Sequence, residues 1–171
     1  IVLYFYTRQA TTRPLLCLIA PGLGFGPLMV MGAYFTQTGD YTSAALAASL
    51  IPGFLVSGLL LLNQFPDAEA DATVGRRHYP LTIGRRRSAW LFTALLACTY
   101  VWLILAVALG LLPVAVLAGL LTLPLALKTA RSVLRHCDDI RRLVPFLGSN
   151  VLVVLLTPIL MGAGILVDRF L

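Results

Sequence analysis

Asn63, Asp67 and Asp71 recur at intervals of four in Asn63-Gln-Phe-Pro-Asp67-Ala-Glu-Ala-Asp71. On a helix that spacing puts all three oxygen-bearing side chains on one face, and Glu69 on another. Two carboxylates sharing a face repel each other unless a cation lies between them. Mg²⁺ suits such a pair, because it keeps several waters and is held by one or two carboxylates plus substrate phosphate oxygens. Gly75-Arg76-Arg77 follows directly, and guanidinium groups match phosphate geometry. The same pattern also fits a plain solvated helix end whose acids balance the neighbouring arginines. His78 and Tyr79 come next, within reach of a bound anion or a second substrate, although a solvated loop histidine is the commoner case.

The elements that must position these residues are membrane spans. Hydrophobic residues make up 59% of the 171 and charged residues only 12%, and mean hydropathy is +0.91. A soluble domain of this size cannot hide so much apolar surface, so much of it must face a lipid bilayer. The net charge of +6 does not signal nucleic acid, since the basic residues cluster between apolar runs without interleaved aromatics. They read as arginine-rich loops facing an anionic leaflet. Cys17, Cys98 and Cys137 match no disulfide or metal-ligand spacing.

Five segments approach the ~20 apolar residues needed to cross a bilayer. They run from about Pro14 to Thr36, Ser43 to Phe65, Ala89 to Leu109, Leu112 to Leu127 and Val144 to Val167. Pro66 cannot donate to the Leu62 carbonyl, so a kink is expected there. The connections at Arg8–Arg13, Arg76–Arg87 and Lys128–Arg142 hold every basic residue except Arg169, whereas Gln37–Thr42 and the Gly110 turn hold none. The positive-inside rule puts the basic loops in the cytoplasm of a plasma (inner) membrane protein, with the C-terminus outside. Three of the seven acidic residues then crowd into positions 67–71 at the bilayer edge, where an ionisable cluster suggests function. Ile1-Val-Leu-Tyr-Phe-Tyr6 reads as the end of a preceding helix, and the chain is expected to be the C-terminal portion of a longer fold.

The stretch from Asn63 through Asp67, Glu69 and Asp71 to Gly75-Arg76-Arg77 resembles the second aspartate-rich motif of the UbiA superfamily of intramembrane prenyltransferases. Upstream, Gly26-Pro27-Leu-Met-Val-Met-Gly32-Ala-Tyr34-Phe-Thr-Gln37-Thr38-Gly39 resembles the preceding helix and turn of its menaquinone branch, and together the likeness covers about residues 21–84. The resemblance implies an all-α polytopic bundle, with about five spans of a nine-helix fold in one membrane domain. It implies Mg²⁺-dependent transfer of a polyprenyl group from its diphosphate to an aromatic acceptor such as 1,4-dihydroxy-2-naphthoate. Asp67 and Asp71 would then be the catalytic metal ligands, with Asn63, Arg76 and Arg77 on the diphosphate. His78 and Tyr79 stand as further contacts.

The family's first motif, Asn-Asp-x-x-Asp-x-x-x-Asp, occurs nowhere in these 171 residues. The chain alone is therefore expected to be inactive without the N-terminal half of the fold. Two readings of other kinds compete: a fragment of an ion-coupled transporter using Asp67 and Asp71, and a catalytically dead membrane scaffold. Outside the motif, Tyr34 is expected to anchor at the lipid interface. Trp90 and Trp102 are expected to face lipid or pack, Asp138-Asp139 to pair with nearby arginines, and Asn150 to bond between helices.

Overall fold

The computed structural model describes residues 13–170, with side chains described to residue 168. Ile1–Tyr6 and most of the Arg8–Arg13 connection lie outside the described residues. Every regular element among those described is helical. They are α1 (Pro14–Thr38), α2 (Ser43–Thr73), the one-turn α3 (Tyr79–Thr82), α4 (Arg85–Ala108), α5 (Val114–His136) and α6 (Ile140–Phe170). All but α3 are long and apolar enough to cross a membrane.

The turns between spans are short and follow local chemistry. Gly39, at φ 73, closes α1 in the left-handed region. Thr42 caps α2, its Oγ1 accepting from the Ala45 amide at 3.2 Å. Gly110, at φ 70, turns the chain between α4 and α5.

Two boundaries differ from the sequence reading. The second apolar run ends near Phe65, yet α2 continues through Pro66 to Thr73. Pro66 removes one amide, while the residues after it still bond along the helix, so the acidic motif rides on helix and not on a loop. Likewise α5 does not stop at Leu127. It continues to His136 with Ala126, Ala130 and Val133 buried while Lys128, Arg131 and Arg135 are exposed. That amphipathic pattern lets one face keep packing after the other has turned polar. The first nine residues of α5 are 3₁₀-helical.

The central element is α2, which packs against α1, α4 and α6. Its contact with α1 is backbone against backbone. A Cβ on Gly26 would lie 2.7 Å from both the Gly53 Cα and the Ser49 carbonyl oxygen, and one on Gly22 would lie 2.7 Å from the Gly53 oxygen. Small residues spaced by four on both helices permit this approach. Gly24–Leu28 forms a π-helical turn in α1, and Ser57 Oγ donates to the Leu18 carbonyl at 2.8 Å. Elsewhere Trp102 Nε1 donates to the Ala47 carbonyl at 2.8 Å, whereas Trp90 is exposed. Tyr100, Thr122 and Thr157 tie α4, α5 and α6 together through contacts of 2.8 and 2.7 Å. Asn150 is buried in α6, but neither amide atom has a hydrogen-bond partner among the described residues. The interhelical bond expected of it is not formed there.

Candidate functional site

The site follows from where α2 ends. At about 1.5 Å per residue, Asp67 lies about 36 Å along α2 from Ser43, and Asp71 about 42 Å. A hydrocarbon core is about 30 Å thick. Both carboxylates therefore fall at or past the membrane edge, not at the midplane where ion-coupling sites sit.

The chain then reverses through a Schellman motif. The Gly75 amide donates to the Ala72 carbonyl at 3.3 Å and the Arg76 amide to the Asp71 carbonyl at 3.1 Å. Gly75 sits at φ 75, a conformation that costs an L side chain about 1–2 kcal/mol. This reversal folds Arg76 back over the helix it has just left. Its Nη1 donates to Asp71 Oδ1 at 2.9 Å. Arg77, the next residue, is exposed.

His78 is the best-buried polar residue of the loop, 3% exposed. Its backbone carbonyl starts α3, accepting from the Leu81 and Thr82 amides at 3.1 and 3.0 Å. Nε2 lies 3.2 Å from Asp71 Oδ2. The ring is not aligned for a hydrogen bond, and neither ring nitrogen has a hydrogen-bond partner among the described residues. Burial lowers the His78 pKa below its usual 6.5, opposed by the neighbouring Asp71 carboxylate.

These groups line a cleft of about 210 Å³. Asn63, Asp67 and Asp71 all reach it from α2, with Arg76 and His78 on the loop side and Cys17 and Pro21 on the α1 side. The spacing argument thus selected residues that share one cavity. Arg77 and Tyr79 do not line it. Gln64 does, and its buried Oε1 has no hydrogen-bond partner among the described residues. Sequence reasoning passed over Gln64 although it adjoins Asn63. Nothing in the sequence marked Cys17 or Pro21, which reach the cleft only because α1 touches α2 at Gly22 and Gly26. Glu69 points away and meets Arg85 at 3.3 Å. Tyr34 and Gln37, at the far end of α1, take no part, and Gln37 Nε2 donates to the Ala33 carbonyl within its own helix at 3.2 Å.

Among the described residues no group of three or more His, Cys, Asp or Glu side chains could hold a metal unaided. That excludes a closed zinc-type site there, which needs four protein ligands. Two carboxylates with neighbouring amide oxygens, one of them unpaired, fit a hard ion that fills its remaining positions with phosphate oxygens and water. Arginine and histidine on the facing wall suit the same phosphate.

The family model of UbiA prenyltransferases matches residues 1–164. The chain is 31% identical over 131 residues to a 1,4-dihydroxy-2-naphthoate octaprenyltransferase of Mycobacterium tuberculosis, an alignment covering 77% of this chain and 44% of that protein. It is 29% identical over 153 residues to the Escherichia coli protein of the same description, covering 85% and 47%. The chain thus spans a little under half the length of these relatives. No solved structure matches it significantly.

Proposed function

This chain belongs to the UbiA prenyltransferase family, and from that premise we propose that it supplies one jaw of a diphosphate clamp in an integral membrane prenyltransferase. The donor is a polyprenyl diphosphate and the acceptor an aromatic ring, with 1,4-dihydroxy-2-naphthoate the acceptor named for both relatives. The motif-bearing end of α2 and the arginine-rich loops face the cytoplasm of the plasma membrane, a reading that the arginine distribution supports. The observation that carries the reading is the cleft in which Asn63, Asp67 and Asp71 oppose Arg76 and His78.

Prenyl transfer requires heterolysis of the allylic carbon–oxygen bond, which leaves pyrophosphate with the electron pair. The aromatic ring then forms the new carbon–carbon bond and loses its proton. Negative charge grows on the leaving group, so fixed positive charge beside it lowers the barrier. Asp67 and Asp71 would hold Mg²⁺, which would supply part of that charge. Arg76 supplies more, and Asn63 and Gln64 offer amide groups to orient the carboxylates or the phosphate. The apolar helices below the cleft keep water from the reacting carbon.

Only one aspartate-rich motif is present in this sequence, so the chain by itself binds the metal diphosphate weakly and does not turn over. The test is Mg²⁺-dependent pyrophosphate release by the full-length protein, assayed with a polyprenyl diphosphate and a panel of aromatic acceptors. Asp67→Asn and Asp71→Asn should each lower the rate at least a hundredfold, and chelating the metal should abolish it. Near-full activity of both variants would remove the metal-ligand assignment. Turnover by residues 1–171 alone would remove the single-jaw assignment.

A further inference from the structure

Both oxygens of Asp71 are engaged by the loop that follows it, and by two quite different neighbours. Arg76 Nη1 meets Oδ1 at 2.9 Å through a guanidinium whose side chain is 50% exposed. His78 Nε2 meets Oδ2 at 3.2 Å through a ring that is only 4% exposed. Resting on the reading of this cleft as a metal–diphosphate site, we propose that the two divide the work. Arg76 is an exchangeable counter-cation that leaves Asp71 for the diphosphate when the metal enters, and His78 is a fixed positioning residue whose polar contact with Oδ2, short of hydrogen-bond alignment, biases the carboxylate's orientation throughout.

Mobility separates the two roles. Arg76 is held at its backbone by the Schellman turn and at its side chain by the Asp71 pair, and that side chain is half exposed, so it swings once the pair is broken. His78 starts α3 and has its ring enclosed, so it cannot leave without local unfolding. Position separates them as well, because the Arg76 guanidinium lies directly on Asp71 Oδ1 at 2.9 Å, where it competes with any other cation for that carboxylate. When metal and diphosphate arrive together, Asp71 gains a stronger cation and Arg76 gains a phosphate acceptor in the same cleft. Each ion pair broken is therefore replaced by a better one.

The exchange gives Arg76 opposite effects on two binding events. The assay is electron paramagnetic resonance of free Mn²⁺, used in place of Mg²⁺, with the full-length protein in nanodiscs, with and without inorganic pyrophosphate. Arg76→Gln should bind Mn²⁺ alone about two- to fivefold more tightly, as expected for loss of a partly exposed competing pair. In the presence of pyrophosphate the same variant should bind more weakly than wild type. Arg77→Gln removes an equal charge from outside the cleft and reports the through-space effect alone, so it should show much smaller changes. Arg76→Lys should restore most of the wild-type pattern.

His78→Phe should weaken Mn²⁺ binding about tenfold under both conditions, the usual scale for losing an orienting partner of a metal ligand. His78→Gln, which keeps an N–H near the Nε2 position, should recover part of the loss. Equal shifts in Arg76→Gln and Arg77→Gln would overturn the exchange, and unchanged binding in His78→Phe would overturn the positioning role. If wild type and Asp71→Asn bind Mn²⁺ with pyrophosphate equally, the diphosphate-site reading itself fails and takes the exchange with it.

Discussion

Gly26→Ala adds one methyl group to α1, and its consequence follows from the α1–α2 contact. The added carbon would lie 2.7 Å from the Gly53 Cα and from the Ser49 carbonyl oxygen, and 3.0 Å from the Gly53 nitrogen. All three are backbone atoms on α2, so no side chain can rotate aside. Ordinary contact needs about 3.4–4 Å, and the helices would have to separate by roughly 1 Å. Alanine is worth up to about 1 kcal/mol over glycine within a helix. Overpacking a tight contact costs about 1–3 kcal/mol, so after that gain the expected net loss is about 0–2 kcal/mol. Gly32→Ala, on the same helix, meets nothing within 4 Å and should gain up to about 1 kcal/mol. The assay is denaturant unfolding of both variants in matched micelles. Separation of α1 from α2 should also open the cleft on its Cys17–Pro21 side and weaken pyrophosphate binding in Gly26→Ala only. If Gly26→Ala proved as stable as Gly32→Ala, the close backbone contact, and the cleft wall that depends on it, would be wrong.

Two further substitutions test the polar groups inside the bundle by the same unfolding measurement. Thr122→Val removes the hydroxyl lying 2.8 Å from the Tyr100 hydroxyl and 2.7 Å from that of Thr157. It should cost about 1 kcal/mol, the scale of one buried interhelical hydrogen bond, and an unchanged midpoint would mean the chain of hydroxyls holds nothing together. Asn150→Leu replaces a buried amide without hydrogen-bond partners among the described residues by an apolar group of similar size. It should be neutral or stabilising by about 1 kcal/mol, and a clear loss would reveal a partner for Asn150.

The spans were legible in the sequence because lipid imposes a length and a polarity that each segment must meet by itself. The face shared by Asn63, Asp67 and Asp71 was legible for a similar reason. Helical period is a local property, and α2 stays helical past Pro66. Tertiary structure decided the rest of the site. Arg76 and Arg77 are adjacent and chemically identical, yet only Arg76 is folded back onto Asp71. His78 resembled a solvated loop residue until α3 and its neighbours enclosed it. Cys17 and Pro21 lie more than forty residues before Asn63 in the chain, and join the cleft only because Gly22 and Gly26 let two backbones touch. Spacing along one helix fixes which of its side chains share a face. What that face opposes depends on how closely another segment can approach, and that distance is set by packing between segments.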